Sequence, residues 1–190
     1  MVEPSALERE LFIVLLPTGE VLEIARGIQS ELAEIYELYK PGEAPVIHIT
    51  LDRISRQGVD RTWEILEELT RDSPPIKVEV DSLDCYRLNS RYLVLNVVDT
   101  GSLTVFTREL HSRLKQEGLS TIDNYQDWNF HISITNNIFT DNPIPEDKFE
   151  RLCQALEGIK HQGSSYSDKV EIWRPALDSS RSLAEFKLKG

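Results

Sequence analysis

Two four-residue segments of this chain repeat one pattern, His48-Ile49-Thr50-Leu51 and His131-Ile132-Ser133-Ile134, each a histidine and a hydroxyl alternating with apolar residues. Alternation with a period of two is the signature of a strand with one face buried, because successive side chains point to opposite sides of the pleat. His48 and Thr50 then share one face while Ile49 and Leu51 anchor the strand from behind, and the same holds for His131 and Ser133 over Ile132 and Ile134. The chain must therefore hold two rigid strands, each offering an imidazole beside a hydroxyl.

The segments around these strands repeat an order of elements. Leu11 to Leu16 is a continuous apolar run closed by Pro17-Thr18-Gly19, a buried strand and turn. Apolar residues from Val21 to about Tyr39 recur at helical spacing until Pro41-Gly42. Val46 to Leu51 is the first motif strand, Arg61 to Leu69 an amphipathic helix with Glu64 to Glu68 as a solvated face, and Ile76 to Val80 a strand that Leu83 to Leu88 extends or pairs. The second half runs from a strand at Arg91 to Val98 through a helix at Ser102 to Gln116, stopped by Gly118, to the second motif strand at Phe130 to Ile134. A turn-rich stretch from Asn136 to Pro145, a helix from Glu146 to Leu156 and a polar loop from Gly163 to Asp168 follow, then closing strands at Val170 to Trp173 and Ala184 to Leu188. No linker rich in Pro, Gly or Ser divides the halves, so residues 1–190 read as one α+β domain of two lobes.

The formal net charge is −11, which repels long nucleic acid, since binding through many phosphates needs a basic surface. Duplex DNA is excluded as a partner on this ground, while a small phosphorylated ligand in a locally basic cleft is allowed. No apolar run is long enough to cross a bilayer, and the Leu11 to Pro17 segment lacks the flanks of a signal peptide. Cys85 and Cys153 form no paired motif and read as reduced thiols of a cytoplasmic protein, here expected to be monomeric.

Two imidazoles are suited to proton transfer near neutral pH, and hydroxyls can donate hydrogen bonds to phosphoryl oxygens as charge builds on them. One His-x-Thr strand alone is weak grounds for a site. Two in equivalent places, using two of four histidines, are specific. His111, within Glu109-Leu110-His111-Ser112-Arg113, is expected to face solvent from a helix, and His161 to sit in a polar loop.

The motifs and their surroundings resemble the two-histidine (2H) phosphoesterase superfamily, and within it the RNA 2′,3′-cyclic phosphodiesterases or 2′-5′ RNA ligases. Leu11 to Pro17 is similar to that family's opening strand, Arg91 to Val97 with the following helix to its midsection, and Glu171-Ile172-Trp173-Arg174-Pro175 with Leu183 to Leu188 to its closing strands. The separation of His48 and His131, 83 residues, is similar too. Ser133 in place of a frequent threonine and Phe130 in place of a frequent proline depart from the pattern. The resemblance implies a bilobal α+β fold, with two pseudo-symmetric, mainly antiparallel sheets lining a central groove and helices outside. It implies hydrolysis of a 2′,3′-cyclic phosphate, commonly to a 2′-phosphate, without a metal or other cofactor, on a small nucleotide or an RNA end. His48 and His131 would be the acid-base pair and Thr50 and Ser133 the phosphate-binding hydroxyls. Phe12, Arg53, Trp173 and Arg174 are further candidate substrate contacts, and Tyr125, Trp128 and Asn129 line or brace the groove. The alternatives are a non-catalytic nucleotide sensor in the same groove, a 2′-5′ phosphodiesterase or ligase, and an interaction module in which the motifs coincide by chance.

Overall fold

A computed structural model describes residues 9–87, 90–176 and 179–189. In chain order its elements are β1 (Glu10–Leu15), α1 (Gly19–Tyr36), β2 (Ile49–Ser55), α2 (Val59–Arg71), β3 (Ile76–Arg87), β4 (Arg91–Val98), α3 (Gly101–Gln116), β5 (His131–Asn136), α4 (Glu146–Leu156), β6 (Lys160–Ser167), β7 (Lys169–Trp173) and β8 (Ser182–Lys187). Leu88, expected to end a strand, lies outside the described residues.

The strands form one antiparallel sheet in the order β6-β3-β4-β5-β2-β1-β7-β8. It is two four-stranded halves joined where β5 meets β2, and the register there is the single pair Ile49↔Ile132. Both isoleucines are fully buried. The two expected sheets are thus present, but hinged on one shared pair rather than separated. Nor do the lobes coincide with the sequence halves. Helix α1 packs on β6, β5 and β3, while α2 packs on α3 and β8, and the closing strands β7 and β8 return beside β1.

Strand β1 explains its uninterrupted apolar run. It is flanked by β2 and β7, and Ile13 on one face and Val14 on the other are both fully buried. Ile13, Leu15, Ile49, Leu51, Leu93, Leu95 and Ile132 join Leu103, Leu110 and Phe149 of the helices in a shared apolar core. Burying each such side chain contributes about 1.5–3 kcal/mol. Val14, Val94 and Trp173 are buried yet stand outside that core, because they floor the opposite face.

Helix ends follow local chemistry. Gly118, at φ +68°, ends α3, and the Leu119 N–H bonds back to the Leu114 carbonyl in the manner expected of a C-terminal glycine. Helix α1 stops at Tyr36, three residues earlier than its periodicity suggests. Glu37 turns into the left-handed region at φ 53°, and Leu38 packs fully buried beyond the helix. The first motif strand starts late and ends late, at Ile49–Ser55, with Val46 to His48 outside the strand.

Two expectations are overturned outright. The polar loop at 163–168 is largely an edge strand, β6, held by main-chain pairing with β3 from Ile76↔Ser167 to Ser82↔Lys160. Its polar residues hid it, and at Gly163 the strand passes close to the Ile24 side chain of α1. His161 accordingly lies on this strand and not in a loop. Cys85 and Cys153 are not reduced thiols: they form a disulfide between β3 and α4, with Cα atoms 6.0 Å apart. They are 68 residues apart in sequence, so no spacing motif announces the pair. The cytoplasmic expectation loses the support it drew from free thiols. Among the described residues, no helix is long and apolar enough to cross a membrane.

Candidate active site

The pair Ile49↔Ile132 does more than join the lobes. His48 and Thr50 flank Ile49, and His131 and Ser133 flank Ile132, so this one bridge brings the two motifs together. Both isoleucines point into the core, so all four polar groups stand on the other face. The two motifs thus meet at the joint of the sheet's halves.

Each imidazole is held in the same way. His48 Nδ1 donates to the Val46 carbonyl at 2.7 Å, and His131 Nδ1 donates to the Asn129 carbonyl at 2.9 Å. A proton fixed on Nδ1 leaves Nε2, at the outer edge of each neutral ring, with its lone pair free. Burial lowers the pKa of His48 from the ordinary imidazole value, the Val46 hydrogen bond opposes this, and the charges of His131 and Arg181 lower it further. Burial also lowers that of His131, against the Asn129 hydrogen bond. Both rings are therefore predominantly neutral at pH 7 in the free protein.

A stability consequence follows. In the unfolded chain each imidazole returns to about pKa 6.5. Below that value the unfolded chain binds protons that the folded chain resists, so stability falls as the pH drops from 6.5 toward the folded-state values. Melting curves at pH 7.5 and 5.0 are expected to show a smaller acid shift for H48Q/H131Q than for the parent. Equal shifts would contradict the buried neutral state.

Register places the other residues of this face. Phe12 is opposite Arg53 on one side and Trp173 on the other. Val14 is opposite Thr50 and Glu171, Asn96 opposite His131, and Val94 opposite Ser133. Trp173 lies 4.7 Å from the His48 ring, and its indole N–H donates to Glu171 Oε2 at 2.6 Å. Arg53 pairs with Glu10 at 3.2 Å, largely shielded from water, and its guanidinium lies 5.5 Å from the centroid of the Trp128 ring. Arg174 is exposed beyond the end of β7 and donates to the Ser180 carbonyl. Phe12, Arg53 and Trp173 are thus brought to the motif face, and Arg174 is tied to a loop at its margin.

Sequence reasoning passed over three groups. Arg181 lies 5.0 Å from the centroid of the Trp173 ring and acts electrostatically on His48. Asn96 holds Ser82 and Asp84 with its amide, at 3.2 and 2.6 Å. His111, expected to face solvent, donates to the fully buried Asp52 carboxylate at 2.7 Å and stacks on Tyr125. Its position on a helix gave no signal, because its partner comes from β2. A separate surface cavity lined by Arg87, Arg91, Glu146 and Glu150 lies at α4, where Arg87 is already paired with Glu150.

Solved structures share this fold. The chain resembles the structure of TT0787 of Thermus thermophilus at TM-score 0.65 and 14% identity, over 95% of this chain and 98% of that one. It resembles a structure described as a phosphoesterase at 0.59 and 16%, covering 96% and 99%. It resembles Escherichia coli LigT complexed with 3′-AMP at 0.58 and 16%, covering 96% and 98%. At such identities these establish the fold. A comparison with curated proteins finds no match. Residues 24–174, which span both histidine motifs and most of the sheet, match the 2′-5′ RNA ligase superfamily, so the chain belongs to that family, the two-histidine phosphoesterases.

Proposed function

We propose that this protein hydrolyses 2′,3′-cyclic phosphates of nucleotides or RNA ends, leaving a 2′-phosphate, by metal-independent acid-base catalysis between His48 and His131. The observation that supports this reading is the Ile49↔Ile132 pair, which joins the two motifs, each with its imidazole bonded to the backbone through Nδ1 so that Nε2 is the nitrogen for proton transfer. That array complements a tetrahedral phosphoryl group.

In the reaction one imidazole takes a proton from water through Nε2 while the water oxygen bonds to phosphorus. The bond from phosphorus to O3′ breaks, and the other imidazole, as imidazolium, gives its Nε2 proton to O3′. Thr50 and Ser133 donate to the non-bridging oxygens as charge accumulates there. The proton on the acid imidazole is taken up from solvent as the anionic substrate binds. The phosphate anion raises the pKa of an imidazole beside it, offsetting the burial that keeps both rings neutral in the free protein. The pair titrates as a unit.

Aromatic and cationic groups gather on one side of the motifs. Phe12, beside the buried Trp173, suits a nucleobase, and Arg181 supplies positive charge against the overall −11, while Arg53 is already paired with Glu10. A mononucleotide or a chain end fits this limited basic region; long RNA meets an acidic surface. LigT, complexed with 3′-AMP, is a relative by fold that accommodates a ligand of this size.

Two expectations test the reading. The pH profile of kcat/KM, which reports the free enzyme, is bell-shaped and centred below about pH 6.5, because both imidazoles are depressed. The profile of kcat is displaced to higher pH by the bound phosphate. A monotonic profile would count against a pair of titrating histidines. Calorimetric titration with AMP and CMP, run beside a turnover assay on 2′,3′-cyclic AMP and CMP with EDTA present, separates enzyme from sensor. Turnover in EDTA supports the proposal; tight binding with no product overturns it.

A further inference from the structure

The strand that carries Thr50 is bulged immediately after it. Ile13 faces Asp52 and Val14 faces Thr50, so Leu51 is an extra residue with no partner on β1. Its consequence is visible in the register: Thr50 and Arg53, three residues apart, face Val14 and Phe12 and so share the motif face, while Leu51 and Asp52 between them are both fully buried. Bulges beside active sites re-aim a side chain in this manner, and they disturb the local ladder.

The carbonyls at this bulge are taken by two side chains. Trp128 Nε1 donates to the Thr50 carbonyl at 3.3 Å, and the Tyr125 hydroxyl lies 3.3 Å from the Leu51 carbonyl and 3.3 Å from that of Thr107. Both come from the short turn at Tyr125–Asp127 and the residue after it, which leads directly into His131. The approach to the second motif is therefore fastened to the main chain of the first.

Behind this clamp the contacts close into a ring. Tyr125 stacks on His111 with centroids 3.7 Å apart and planes 7° from parallel. His111 donates to Asp52 Oδ2, Ser120 donates to Asp52 Oδ1 at 2.8 Å, and Asp52 follows Leu51 on β2 itself. Burial pushes the Asp52 carboxyl up from its usual range, and the bonds from His111 and Ser120 pull it back. A fully buried carboxylate satisfied on both oxygens is a rigid anchor. Asp52 faces Ile13 across β1, on the side away from Thr50 and Val14.

We propose that Tyr125 and Trp128, backed by the Asp52–His111 pair, are positioning residues that fix the Thr50 hydroxyl against His131. They act through the bulge and not on substrate. The kinetic part of the test rests on the cyclic-phosphate reading above; a second part does not.

Trp128→Phe removes one N–H and keeps a ring under Arg53, and Tyr125→Phe removes one hydroxyl and keeps the stack on His111. Each is expected to lower kcat for 2′,3′-cyclic AMP about tenfold, and the double variant on the order of 10²-fold, the loss a misplacement of about 1 Å brings. KM should change less than twofold, and the circular dichroism spectrum should be unchanged. A lowered melting temperature with kcat intact would show a merely structural role and overturn the proposal. Independently of turnover, NOESY spectra should show a Thr50 methyl to His131 ring cross-peak in the parent that weakens in the double variant. Persistence at full intensity would overturn it, whatever the enzyme's substrate.

Discussion

His48→Ala and His131→Ala are each expected to lower kcat/KM on a 2′,3′-cyclic nucleotide by on the order of 10³-fold, within the range that general acid-base groups contribute. The double variant should lose little more than either single one, since a base without its acid, or an acid without its base, completes only half of the proton transfer. Neither variant should unfold. The isoleucines that join the lobes are retained, and among the described residues each imidazole makes one hydrogen bond to the backbone. His48→Gln and His131→Gln, which keep a polar side chain, guard against a packing artefact at the Trp173 contact. Multiplicative losses in the double variant would mean that the two rings act independently and would contradict the shared mechanism.

The largest effect on stability is expected from the disulfide. Cys85 and Cys153 close a loop of 68 residues, and in the chain-entropy account such a loop is worth about 4 kcal/mol. For a domain of this size that corresponds to roughly 8–16 °C in melting temperature. C85S/C153S, or the parent in reductant, should show a drop of this order in differential scanning calorimetry. Activity at 25 °C should stay within twofold, because Cys85 lies next to Asp84 on the strand and points away from the motif face toward α4. An unchanged melting temperature in reductant, with two thiols reacting in the native protein, would show that the bond does not contribute.

What could be read from the sequence was what depends on near neighbours. The alternation of His48-Ile49-Thr50-Leu51 and His131-Ile132-Ser133-Ile134 announced their faces, and the apolar run at β1 announced a strand buried on both sides. Gly118 announced the end of α3. Other features depend on partners distant in sequence and left no local trace. His111 looked like an exposed helical residue because Asp52, 59 residues earlier, is the group that buries it. Strand β6 looked like a loop because an edge strand of small polar residues is held by main-chain bonds to β3. The bulge at Leu51 could not be seen at all, since a register shift is a property of two strands. Arg181 was overlooked and Arg174 preferred because adjacency to Trp173 in sequence stood in for adjacency in space. The face of the site was legible, but what braces and charges it was not.

Phosphorus-31 NMR of 2′,3′-cyclic AMP incubated with the purified protein in EDTA tests the central claim most directly, because it follows the scissile phosphoester itself. The cyclic phosphate resonance should be replaced by that of a 2′-phosphomonoester at a rate abolished in H48A and H131A. A cyclic resonance that persists unchanged, or product formed equally by the parent and both variants, would contradict the account.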